Sequence, residues 1–161
     1  MGIPIHLFLT DDGGSVINGS SDVAGREGSI EIIAFHHNIS IPVDDMTGSI
    51  TGTRKHGAVS IEKEIDSAST DLYRAAAEGR KLKTAEFRFY KINYSGQEEE
   101  YFNIKLEGVV ISSISPVMHN IKTVTTSNHL EMIDLRYEKI TWKVCDGNKI
   151  YSDSWSDRKQ A

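Results

Sequence analysis

The 161-residue chain holds one cysteine, three prolines, no apolar run long enough to cross a bilayer and no dense cluster of lysine and arginine. A single cysteine, Cys145, excludes an internal disulfide. No base adjoins it to make a reactive thiolate. So few prolines and no low-complexity tract argue against disorder. Eighteen basic residues against 23 acidic ones give a net charge of −5, which would be repelled by phosphates. Nucleic acid and anionic membrane surfaces are therefore not expected partners, nor is membrane insertion. Residues 3–9 are mostly apolar but short, lack a basic leader and run into Asp11-Asp12-Gly13-Gly14. They do not form a signal peptide. The expectation is a cytoplasmic product whose export, if it occurs, needs no cleaved leader.

Catalytic and metal signatures are also missing. No Gly-x-Ser-x-Gly elbow, P-loop or nucleophile–base–acid set is present. His36 and His37 are neighbours on a predicted strand, so their side chains point to opposite faces and cannot share a metal. Asp11–Gly14 lacks the further oxygen ligands of a calcium loop and reads as a turn. Glu62, Glu64 and Asp66 share one strand parity, which predicts a solvated face rather than an acid–base pair. No enzyme activity, metal or cofactor is expected.

What is present is mostly strand pattern. Strands are predicted at residues 3–9, 29–41, 58–65, 109–114 and 130–144, with a hairpin turning at Asn93-Tyr94-Ser95-Gly96. In the hairpin Ala85, Phe87 and Phe89 alternate with Glu86 and Arg88 on one arm. On the other, Phe102, Ile104 and Leu106 alternate with Tyr101, Asn103, Lys105 and Glu107. Residues 29–41 are apolar on both faces, so both faces need cover, one of them from a neighbouring subunit. Residues 130–144 change parity after Tyr137: Ile133, Leu135 and Tyr137 give way to Ile140, Trp142 and Val144. A one-residue bulge or a passage between sheets would explain this. A second hairpin turn is read at Asp146-Gly147, and the tail 153–161 is polar except for Trp155. One helix is predicted over residues 68–78, with Ser67 as N-cap, a Leu72/Ala75/Ala76 stripe and Gly79 past its end. Residues 42–56 carry loop chemistry, and a loop that long is usually functional or disordered. The expected fold is mainly β: a two-sheet β-barrel or sandwich with one short α-helix, in one domain over residues 1–161.

Several segments, in order, resemble the Hcp (haemolysin-coregulated protein) family of type VI secretion. They include Arg26-Glu27-Gly28-Ser29-Ile30-Glu31, Gly52-Thr53-Arg54-Lys55-His56, Lys63-Glu64-Ile65-Asp66 and Tyr90-Lys91-Ile92-Asn93. Glu100-Tyr101-Phe102-Asn103, His129-Leu130-Glu131 and Leu135-Arg136-Tyr137-Glu138-Lys139-Ile140-Thr141-Trp142 continue the match. The resemblance implies a fold like that of phage tail tubes, a homohexameric ring and stacked rings inside a contractile sheath. It also implies a spike protein at the tube tip, small effector cargo in the lumen, and secretion of the tube on contraction. Some members carry a fused toxin domain; ending at Ala161, this chain is expected to be a plain tube subunit. By the same resemblance the long loop reaches adjacent rings, with Asp44, Asp45, Arg54 and Lys55 making charged contacts, and His36 faces the lumen. The rival readings are a monomeric β-sandwich that binds a ligand or serves adhesion, and a hydrolase on a β scaffold.

Overall fold

The computed structural model describes residues 2–126 and 128–156. The strands among them are β1 (Ile5–Thr10), β2 (Val16–Ile17), β3 (Ile30–Ile32), β4 (Ala34–His36), β5 (Ile39–Ser40), β6 (Lys55–His56) and β7 (Val59–Glu64). The helix α1 (Ser69–Glu78) follows, then β8 (Leu82–Ile92), β9 (Glu98–Val117), β10 (Leu130–Arg136), β11 (Lys139–Val144) and β12 (Lys149–Ser154). The part of the expected polar tail at 157–161 lies outside the described residues.

Two sheets share the long strand β9. Its first half pairs with β8 on one side and β11 on the other, and β1, β2, β3 and β12 complete that first sheet. Its second half pairs with β10, which pairs with β7, which pairs with β4. Sequence pattern predicted two separate strands here, residues 101–107 and 109–114. The structure joins them through Gly108, whose φ of 65° is backbone that favours glycine. A Cβ there would sit 2.5 Å from Glu138 Oε2. Pro116 does not end the strand, because β9 is an edge of the second sheet at that point.

The parity change after Tyr137 is a passage between sheets. β10 belongs to the second sheet and β11 to the first, with Tyr137-Glu138 as the corner. Residues 29–41, expected as one strand, break for the same reason. β3 pairs with β1, the chain bends at Ile33, and β4 pairs with β7. Phe35, Ile61, Ile133 and Ile114 face Phe87 and Leu106 across the barrel, so the alternation of both sheets is spent on a single core.

Helix α1 closes one end with Leu72 and Ala75. Gly79 takes the left-handed conformation predicted for it, at φ 66°. Ser67 does not cap the helix. Its hydroxyl donates to the Asn18 carbonyl instead, and Asp66 makes the turn, its carboxylate accepting from the Ala68 N–H. Asp66 also departs from the expected solvated row, since it lies beyond β7 and pairs with Lys63 Nζ at 3.0 Å. Lys63 points inward from β7 with no solvent exposure and meets the equally buried Glu131 at 2.7 Å. Ser69 Oγ donates to the same Glu131 oxygen, which pins the helix start to the second sheet.

A buried pair with one partner removed leaves an uncompensated charge, at a cost of about 3–5 kcal/mol. Lys63→Ala is expected to lose that much in urea unfolding at fixed protein concentration. The joint change Lys63→Met with Glu131→Leu should recover most of the loss. A lone Lys63→Ala within 1 kcal/mol of the parent, on the order of a surface substitution, would show that the pair does not hold the helix.

Candidate functional site

Three features stand out. The first is the outer face of the second sheet. Register brings His36, Ser60, Asp134 and Ser113 into one row across four strands. Glu62, Met132 and Ser115 form the next row. Ser60 donates to Asp134 at 2.6 Å. These side chains line a shallow depression of about 410 Å³. His36 is exposed there, while its neighbour His37 points the other way toward Tyr137. The sequence reading isolated His36 but missed its companions. Their signal was in plain sight: polar residues at period two on β7 (Ser60, Glu62, Glu64) and β9 (Ser113, Ser115), with Asp134 on β10.

The second feature is the segment expected to be a loop at residues 42–56. It is a β-finger. Gly57 donates to the Asn38 carbonyl at its root, β5 pairs with β6, Thr51 donates to Pro42, and Val43 bridges Ile50. The sequence pattern missed this ladder because Pro42, Gly48 and Gly52 punctuate it. Asp44 shapes the tip, its carboxylate accepting from the Met46 and Thr47 N–H groups. Asp45 is exposed at the same tip, and Lys55 is exposed nearer the root. Ile41, Val43, Met46 and Ile50 project into solvent, Met46 at 95% and Ile50 at 66% exposure. A finger with its apolar residues outward has no core of its own.

The third feature is the polar network at the finger's root. Arg54, expected at a subunit contact, forks onto Asp153 of β12 within its own chain. Nε lies 2.5 Å from one carboxylate oxygen and Nη2 2.7 Å from the other. Nη2 also donates to the Ser154 carbonyl. His56 Nε2 lies 2.7 Å from Asp153 Oδ2, and His56 Nδ1 lies 2.7 Å from the Tyr137 hydroxyl. His37 Nε2 reaches the same hydroxyl at 2.8 Å. The structure thus brings Arg54 together with His37, His56, Tyr137 and Asp153, and keeps it apart from Asp44 and Asp45. Hydrogen bonds from Arg54 hold the Asp153 carboxyl below its usual range, with His56 adding to this against burial. Burial pushes the Tyr137 phenol up, and the Asp153 charge adds to that. Burial, then His56 and His36, lowers the His37 imidazole.

The Asp153 carboxyl titrates lower in the folded chain than unfolded, so its stabilisation is present above the ordinary value of 3.8 and is lost as pH falls below it. Asp153→Asn should flatten this part of the acid-unfolding curve. Arg54→Ala should cost about 2 kcal/mol, the range for a hydrogen bond to a charged group. Both are read by denaturant titration at pH 3 and pH 7; equal curves for parent and Asp153→Asn at the two pH values would refute the assignment.

The comparisons with known proteins agree with this architecture. A family model described as "Type VI secretion system effector, Hcp" matches residues 8–144. The chain is 33% identical over 139 residues to the "Major exported protein" of Pseudomonas aeruginosa, covering 85% of this chain and 81% of that one. Among solved structures it is similar to a doubly substituted Hcp1 protein of E. coli EAEC 042. That match has 54% identity and a TM-score of 0.87 over 96% of this chain and 99% of the other. It is also similar to the secreted protein Hcp3 from Pseudomonas aeruginosa, at 26% identity and a TM-score of 0.77, again over 96% and 99%.

Proposed function

This chain belongs to the Hcp family of type VI secretion effectors, and from that membership we propose that it is a structural subunit of the secretion tube. Six copies close into a ring, rings stack within a contractile sheath behind a spike protein, and small effectors travel in the lumen. The subunit assembles in the cytoplasm and leaves with the tube, without a cleaved leader. Its work is structural, not enzymatic.

The observation that supports this best is the second sheet. It has a polar outer face and two edges to which no strand is paired among the described residues. One is the outer side of β4. The other is the outer side of β9 beyond Val109, where the pairing with β8 stops. Open edges are templates for pairing with another chain, and closing a sheet on itself abolishes them. Joining the β4 edge of one copy to the β9 edge of the next would close six four-stranded sheets into one wall. The row containing His36 would then face the lumen.

The finger suits the contact between rings. Its apolar side chains want cover, and Asp45 and Lys55 provide charge around them. Asp44 acts through the shape of the tip, and Arg54 through the root. Exposed ion pairs are worth about 1 kcal/mol or less each, and salt screens them. Burial of Met46 and Ile50 therefore carries more of the stack than charge does.

Light scattering with negative-stain imaging tests the ring: six 17.9 kDa chains in open annuli are expected. A monomer at micromolar and higher concentration would sink ring formation and favour a ligand-binding or adhesive β-sandwich. Deleting residues 44–49 should leave single rings intact and abolish stacks, and loop-less stacked tubes would refute the finger's role. His36→Trp should lower retention of a lumenal cargo with the ring preserved. Loss of the ring itself would place His36 at the subunit contact instead.

A further inference from the structure

The two legs of the finger are held by one hydroxyl. His37 leads into the first leg and His56 ends the second, and both ring nitrogens converge on Tyr137 at the sheet corner. Hydrogen-bond accounting fixes the protons. Asp153 is an ionised acceptor, so His56 Nε2 carries a proton and donates to it. The neutral His56 Nδ1 then accepts from the Tyr137 O–H. The Tyr137 oxygen in turn accepts from His37 Nε2–H. Every polar atom named is satisfied, in a wire that runs from His37 through Tyr137 and His56 to Asp153.

The wire has room for one more proton. Placed on His56, it makes Nδ1 a donor. Tyr137 then turns its O–H to His37 Nε2, and His37 carries its own proton on Nδ1. A second proton has no such arrangement. Both rings would then donate to the Tyr137 oxygen, and the hydroxyl proton would face no acceptor. A buried donor left without a partner is costly. Charge works in the same direction. His37 and His56 would both be cationic close to Arg54, with Arg136 donating to the His56 carbonyl and His36 adjoining His37.

We infer that this network is an acid-released clamp: it holds the finger in place with zero or one added proton, and it lets the finger's root open when His37 and His56 are both charged. The inference rests on the finger's proposed role in stacking only for its consequence, which is that tubes come apart into rings at mildly acidic pH. The sign follows from burial. His37 binds its proton less readily in the clamp than in the opened root. Opening therefore takes up a proton, and it becomes easier as pH falls below the ordinary imidazole value of 6.5.

Hydrogen exchange on assembled full-length protein tests this, with rates corrected for the intrinsic pH dependence of amide exchange. The finger amides of Asp44, Thr51 and Gly57 are each bonded in its ladder. Their protection should fall roughly fivefold between pH 6.5 and 5.5 and approach tenfold per pH unit below that, the limit for one proton taken up on opening. Amides of β8 should hold steady. His37→Gln keeps an N–H donor for Tyr137 but cannot titrate, so its finger protection should stay flat with pH. Tyr137→Phe should loosen the finger at both pH values with no slope, and unchanged β8 protection would show that the barrel has folded. Finger protection that ignores pH in the parent overturns the clamp. So does a slope in His37→Gln as steep as the parent's. Images of the same samples separate the two readings: an opened finger with intact stacks supports the clamp and removes the finger from the stacking contact.

Discussion

The corner at Gly108 and Tyr137 is the constraint on which the rest of the structure depends. A small β protein must bury one face of each strand and leave no face of the core open. Here two sheets share one core, and the chain moves from one to the other along continuous strands. β9 crosses at Gly108, and β10 passes into β11 at Tyr137-Glu138. The two crossings are tied, since Glu138 N–H donates to the Glu107 carbonyl, and the Glu138 side chain occupies the space a Cβ at Gly108 would need. The third crossing, at Ile33, is tied to β7 by its own N–H on the Glu62 carbonyl. An uninterrupted parity through any of these points would place half a strand's apolar residues in solvent.

The same corner positions the polar chemistry. Tyr137 is the last inward residue of its parity, so its ring fills the core edge and its hydroxyl emerges beside the finger root. Trp142 and Trp155 flank His37 and His56 respectively. Asp153 arrives from β12, whose register with β11 places it opposite Ile140 on the inward side. Residues of the finger root therefore meet the corner and the last strand although His37 lies 100 positions from Tyr137 and Arg54 lies 99 from Asp153 in sequence.

Local pattern made the local elements legible. The β8–β9 hairpin, its Asn93–Gly96 turn, the helix with its Gly79 end and the turn at Asp146-Gly147 all follow from period and turn chemistry, and the structure has each of them. The parity change after Tyr137 was visible too, although pattern alone could not choose between a bulge and a change of sheet, because both shift the face by one residue. What was not legible was partnership at long range. Ser67 looked like a helix cap because serine suits one, but Ser69 and Asp66 were nearer to Lys63 and Glu131. The buried Lys63–Glu131 pair is invisible to a reading that places charges outside. Arg54 has the composition of a contact residue, and only the fold reveals Asp153 within its reach.

The finger shows why such a network is useful where packing is not available. Ordinary hairpins are steadied by laying their apolar side on a core. This one turns Ile41, Val43, Met46 and Ile50 outward, so in a lone chain the hydrophobic effect does nothing to fix its direction. Its own ladder keeps its shape but cannot aim it. Aim has to come from the root, and from interactions that are directional: a forked guanidinium–carboxylate pair and hydrogen bonds to one hydroxyl, all partly shielded from water. In the proposed stacking role, the finger's surface must stay apolar and uncovered until the next ring arrives. The element that carries it must therefore be held by polar groups, and polar groups built from histidine carry a dependence on pH that an apolar anchor would not.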